Sequence, residues 1–191
     1  MFRRALVALL AFTFTASAWA DTRQELHSAF VHNLALKSFR ATMIDLTSNR
    51  TVSTVEFQAP DRYRITAGGQ PPSLIIGDTM YLQRAKGQFM KIPLPKQMLG
   101  QFRNEAAISD LEKGSSVESL GPGMVGAEVA RKYRFTTSTD KQASTSTAWI
   151  GVRSGNVLQV ETSGKNAGKP FAMRVLYSDF NSPTIKINTP N

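Results

Sequence analysis

From Ser38 onward, apolar side chains recur at every second position: Phe39, Ala41 and Met43, then Val55 and Phe57, then Tyr63, Ile65 and Ala67. The positions between them carry Arg40, Thr42, Thr54, Glu56, Arg62 and Arg64. Alternate residues of a strand point to opposite faces, so a period of two predicts antiparallel strands with one apolar and one wetted face. The rhythm continues at 74–76, 79–83 and 88–92, with glycine-containing turns between, and stops at Pro93-Leu-Pro95. It resumes at 130–137, with Tyr133 and Phe135 inward, at 145–152 around Trp149, and at 157–162 with Leu158 and Val160. A last run at 171–180 alternates Phe171, Met173, Val175 and Tyr177 with Arg174 and Ser178, and the tail from Pro183 is expected to add an edge strand.

Two stretches have a different period. Residues 21–36 place Leu26, Ala29, Phe30, Asn33 and Leu34 near one helical stripe. Residues 96–104 place Met98, Leu99 and Phe102 at helical spacing, and Ala106, Ala107, Ile108 and Leu111 follow. Short hairpin connections, without alternating helices, argue against a parallel sheet. The expected fold is α+β: a single strongly curved antiparallel sheet, a half-open barrel. Its concave apolar face is covered by an N-terminal helix and a helical lid insertion.

The beginning of the chain is read as a leader. Met1-Phe-Arg-Arg is basic, Ala5 to Ala16 is almost wholly apolar, and Ala18-Trp-Ala20 is a small-x-small run. This is the pattern of a secretory signal peptide over residues 1–20, with cleavage expected before Asp21. The apolar run is too short to span a bilayer. Residues 21–191 then form one domain, expected to be a periplasmic monomer. No cysteine occurs, which removes disulfides and a lipidated N-terminal thiol from the account. Without Arg3 and Arg4 the basic count falls from 23 to 21 against 14 acidic residues, a net charge of about +7. The basic side chains are dispersed, and export argues against nucleic acid as a partner.

Signals for catalysis are sparse. His27 and His32 lie five residues apart on the first helix, which separates them too widely in angle for a metal pair. No phosphate loop, nucleophile elbow or metal-ligand run appears, and neither a metal nor a cofactor is expected. Asp78 and Asp179 are the acidic residues embedded among apolar ones. A hydrolase built on them is the weakest of three readings, and the chain is expected not to be an enzyme. Asp78 follows Gly77 between Leu74-Ile-Ile76 and Thr79-Met-Tyr-Leu82, and the pair is read as a two-residue hairpin corner.

The soft apolar inventory is larger than two short helices need for cover. Six methionines follow Met1, and thioethers mould to irregular partners. The cavity is expected to be lined by Met43, Phe57, Tyr63 and Ile65; by Leu74, Ile76, Met80 and Leu82 on one shared face; by Met98, Leu99 and Phe102 from the lid; and by Tyr133, Phe135, Trp149, Leu158, Met173 and Val175. At roughly 0.8 kcal/mol per methylene, a ten-carbon stretch of acyl chain gains on the order of 8 kcal/mol there.

The order of elements and several motifs resemble the LolA-like superfamily of periplasmic lipoprotein-sorting and lipid-carrier proteins. The matching pieces are Val55-Glu-Phe-Gln-Ala-Pro-Asp-Arg-Tyr-Arg-Ile65, Leu74-Ile-Ile-Gly-Asp-Thr-Met-Tyr-Leu82, Leu120-Gly through Gly126 to Tyr133-Arg-Phe135, Ala148-Trp-Ile150 with Gly155-Asn-Val-Leu158, and Tyr177-Ser-Asp-Phe180. The resemblance implies a half-open antiparallel barrel closed by helices, with an apolar cavity for acyl chains, and not the sorting function itself. The expected role is a carrier or binding protein for a lipid or acylated protein, for which lipoprotein or glycolipid transport to the outer membrane and a transient inner- or outer-membrane protein partner stay open. One departure stands out: the family's lid-tying Arg directly precedes the proline, and this chain has Ala59 before Pro60. The rival reading keeps the fold but makes it a protein-interaction or sensor module of the envelope.

Overall fold

The computed structural model describes residues 16–85, 87–94, 105–113, 115–139 and 142–190. In chain order the elements are α1 (Ala16–Leu34), β1 (Ser38–Asp45), β2 (Arg50–Gln58), β3 (Arg62–Ala67), β4 (Ser73–Ile76), β5 (Thr79–Ala85) and β6 (Gln88–Pro93). Then come α2 (Glu105–Glu112), β7 (Val117–Val125), β8 (Glu128–Thr139), β9 (Gln142–Gly151), β10 (Val157–Asn166) and β11 (Lys169–Ser178). All eleven strands form one curved, open sheet in the order β6-β5-β4-β3-β2-β1-β11-β10-β9-β8-β7. Every pairing is antiparallel. The expected α+β curved sheet is therefore the observed one.

The order follows from hairpins. Each strand pairs with its sequence neighbours except β6 and β7, which do not pair with each other, and β11 also returns to lie against β1, joining two meanders into one surface. Helix α2 falls in the chain between the two edge strands, β6 and β7. Helix α1 packs its stripe against the β7–β10 half. Leu26, Ala29 and Phe30 join Ile108 and Leu111 of α2 and Val117, Tyr133, Phe135, Ala148, Ile150, Val157 and Val160 of the sheet in one core. Asn33 is also buried, and its Oδ1 accepts the Val157 N–H at 3.1 Å, which fixes the end of α1 to the start of β10. A second core lies on the β1–β5 half: Leu36, Phe39, Ala41, Val55, Phe57, Tyr63 and Ile75.

Two expectations are corrected. Residues after Ser178 do not form an edge strand. They run across the far face of the sheet, where Arg62 Nη1 donates to the Ile187 carbonyl at 2.8 Å, Arg64 Nη2 to the Lys186 carbonyl at 2.8 Å, and the Ile187 N–H to Gln58 Oε1 at 2.7 Å. β11 lies inside the sheet between β1 and β10, so no free edge adjoins its end. Strand β7, by contrast, was not expected, because Gly121-Pro122-Gly123 reads as a turn. As an edge strand it tolerates a proline, and the pairing shift between Ser119 and Gly121 takes up the irregularity.

Candidate functional site

Cross-strand register defines which side chains share the helix-covered face, because residues directly opposite each other in an antiparallel pair point the same way. One row runs Phe39–Phe57–Tyr63–Ile75–Met80–Ile92 across β1 to β6. The next runs Tyr177–Ala41–Val55–Ile65–Ser73–Leu82–Met90. A third runs Tyr133–Ala148–Val160–Val175–Met43–Ser53–Ala67. The floor is aromatic: Phe39 and Phe57 rings lie 5.0 Å apart, Phe57 and Tyr63 5.2 Å, and Phe39 and Tyr177 5.7 Å with the edge-on tilt that ring quadrupoles favour.

Over and around this floor, Met43, Ile65, Met80, Leu82, Met173 and Val175 are half-buried on the same face. Ile65, Met80 and Val175 pack directly on the second core. Ile75, Met90 and Ile92 belong to the same face and were missed in the sequence. Met90 and Ile92 do alternate within β6 and could have been found by carrying the period of two one strand further.

Other expected lining residues are placed elsewhere. Leu74 and Ile76 stand opposite Arg64 and Arg62, and Tyr81 stands opposite Leu74, so all three belong to the outer face. Leu74, Ile76, Met80 and Leu82 thus do not share a face. Trp149 stands opposite Lys132 and Gln159, also outward. Both errors arise in unbroken apolar runs, Leu74-Ile75-Ile76 and Ala148-Trp149-Ile150, where alternation cannot reveal parity. Leu158 is buried at the shift in pairing between Val157 and Gln159. Tyr133 and Phe135 lie inward but under the helices: the Phe135 ring meets Phe30 at 5.7 Å, and Tyr133 donates its hydroxyl proton to Glu25. Met98, Leu99 and Phe102 lie outside the described residues.

The outer face is charged. Arg40 and Arg64 both hydrogen-bond Glu56, at 2.9 and 2.5 Å, Arg40 also pairs with Asp179 at 2.6 Å, and Arg174 pairs with Glu161 at 2.6 Å. Burial pushes the Glu56 carboxyl up, but the two guanidinium hydrogen bonds and charges outweigh it and hold the group below the ordinary range. Asp179 is thus engaged by Arg40, while the carboxylate of exposed Asp78 accepts a bond from its neighbour Thr79 at 3.2 Å and sits at the Gly77–Asp78 corner, Gly77 having φ +59°. His27 Nε2 lies 3.3 Å from Glu112, bridging α1 and α2, and His32 is exposed. No group of three metal-ligating side chains occurs among the described residues. One face is apolar and the other is laced with ion pairs, which suits non-polar contact on the inner side.

The fold that emerges is an open, curved antiparallel sheet with one helix-covered apolar face. Among solved structures, it matches the lipoprotein LppX of Mycobacterium tuberculosis with a TM-score of 0.65 at 11% identity, over 88% of this chain and 99% of that one. It matches LprF of Mycobacterium bovis with a TM-score of 0.63 at 12% identity, over 90% and 97%. Superposition on a LolA superfamily protein from Nitrosomonas europaea is looser, with a TM-score of 0.36 at 13% identity, over 86% and 94%. At these identities the likeness to LppX and LprF is one of fold alone. No family model matches the sequence, and no curated protein matches it. Among the described residues, no helix is long and apolar enough to cross a membrane.

Proposed function

We propose that this protein is a non-catalytic periplasmic carrier or binding protein for a lipid or lipid-modified ligand. Its acyl chains lie on the inner face over the Phe39–Phe57–Tyr63 floor, against Met43, Met80, Leu82 and Val175. The observation that carries this reading is the continuity of half-buried apolar side chains across β1–β6 and β11, while charges of β1, β2, β3 and β11 pair up on the other face. The likeness of fold to a lipoprotein, LppX, agrees with an envelope role. In this reading residues 1–20 are an export leader, residues 21–191 are the working domain, and the domain acts as a monomer that meets its membrane partner transiently. Flexible thioethers and branched aliphatics accept chains of differing length and saturation, so selectivity falls to whatever surrounds the head group.

Mass spectrometry of lipids extracted from protein purified from periplasm tests the reading. A stoichiometric acylated species is the expected result. A protein that carries no lipid, takes up no acyl probe and recovers a stoichiometric protein partner instead would transfer the function to the interaction-module reading.

A further inference from the structure

A second apolar surface lies at one end of the sheet, away from the acyl floor. Met124 and Val129 are register partners next to the β7–β8 turn, and the Val152 N–H donates to the Val129 carbonyl at 2.9 Å, one step beyond the Ala130–Gly151 pair. The three side chains thus occupy successive places in a single cross-strand row. They are 57%, 50% and 54% exposed, the three highest values among the exposed large hydrophobics of the described residues. Isolated exposed aliphatics need no explanation, but three in one cross-strand row, on β7, on β8 and just past the end of β9, form a patch.

The row continues the helix-covered face past its last buried members. Val129 is two residues from Arg131 and four from Tyr133 on the same strand, and Ile150 closes the core just before Val152. The surroundings are basic. Arg131 is half-exposed, Arg153 is exposed in the β9–β10 turn, and Lys132 lies on the opposite face of β8. Glu25 neutralises Arg131 and also accepts from Tyr133, and Glu128 accepts the Ser154 N–H at 3.0 Å, so the basic character of this end rests on Arg153 and Lys132. Without Arg3 and Arg4 of the leader, 21 basic against 14 acidic residues leave a net charge of about +7. Apolar side chains that can enter an acyl boundary, flanked by cations and set on a basic protein, match the chemistry of an anionic bilayer surface.

We propose that the Met124–Val129–Val152 end docks reversibly on anionic membrane surfaces, shallowly inserting these side chains while Arg153 meets lipid phosphates. This patch lies at the β7–β9 end of the sheet, away from the β1–β6 acyl floor, so it stands whether or not that floor holds a lipid.

Co-sedimentation with phosphatidylglycerol-containing vesicles, with pure phosphatidylcholine vesicles as reference, tests the proposal. Wild-type protein is expected to pellet with the anionic vesicles and at least fivefold less with neutral ones. A triple Met124→Ser, Val129→Ser, Val152→Ser variant is expected to lose at least fivefold of that binding, and Arg153→Glu to weaken it further with salt. Met124→Ser alone serves should the triple variant fail to fold, and an unchanged thermal transition confirms the fold of either. Wild-type protein that stays in the supernatant, or a folded variant that pellets as well as wild type, overturns the proposal. So does a row whose substitution only converts a dimer of this chain to a monomer.

Discussion

Glu56 receives hydrogen bonds from Arg40 and Arg64 on the outer face, and its carboxyl is held below the ordinary range despite burial. A depressed folded pKa means that ionised Glu56 stabilises the native state, fully above the unfolded value and progressively less as pH falls through the folded one. Acidification below about pH 4.3 is therefore expected to remove this contribution, and Glu56→Gln to flatten the loss. Urea midpoints at neutral pH and near pH 3 check it; equal acid sensitivity of the two proteins would contradict it. At the β4–β5 corner, Gly77 has φ +59°, and a Cβ there would lie 3.6 Å from Asp61 Oδ2, an ordinary contact. The cost of Gly77→Ala is thus backbone strain of roughly 1–2 kcal/mol. Gly77→Asn should recover part of it, since asparagine tolerates the left-handed region. A thermal transition lowered by a few degrees for Ala and less for Asn is expected; an unchanged Ala variant would refute the strain argument.

Among elements, the C-terminal segment shows best how topology overrides local pattern. Ile185 and Ile187 read as an alternating strand, yet both are buried against the outer face, and the backbone of Lys186 and Ile187 is held by side chains of β2 and β3. Ile187→Ala is expected to cost about 2–5 kcal/mol, the range for truncating a buried aliphatic side chain. Denaturant unfolding measures it, and a loss below 1 kcal/mol would mean that the strap contributes little. The strand rhythm of β1–β3 was legible because charged and apolar residues alternate there without a gap. β7 was not, because Gly121-Pro122-Gly123 hides an edge strand that needs hydrogen bonds on one side only. The first helix was legible from its stripe, and its C-terminal anchor, Asn33, was on that stripe, although its bond to Val157 spans 124 residues.

For the whole molecule, the alternation of sequence located one apolar and one charged face correctly but could not assign parity within runs that are apolar on both faces. Leu82 on β5 and Leu74 on β4 were expected together, and the register places Leu82 over the inner floor and Leu74 on the outer face opposite Arg64. That difference supplies the most direct test of the central claim, that acyl chains occupy the inner face. Titration of a fluorescent long-chain fatty acid into wild type, Leu82→Ser and Leu74→Ser is predicted to give saturable binding in the wild type. Binding should weaken about tenfold in Leu82→Ser, as expected for about 1.4 kcal/mol of lost apolar contact, and stay near wild type in Leu74→Ser. Weakening by Leu74→Ser but not by Leu82→Ser, or no saturable binding at all, would contradict it.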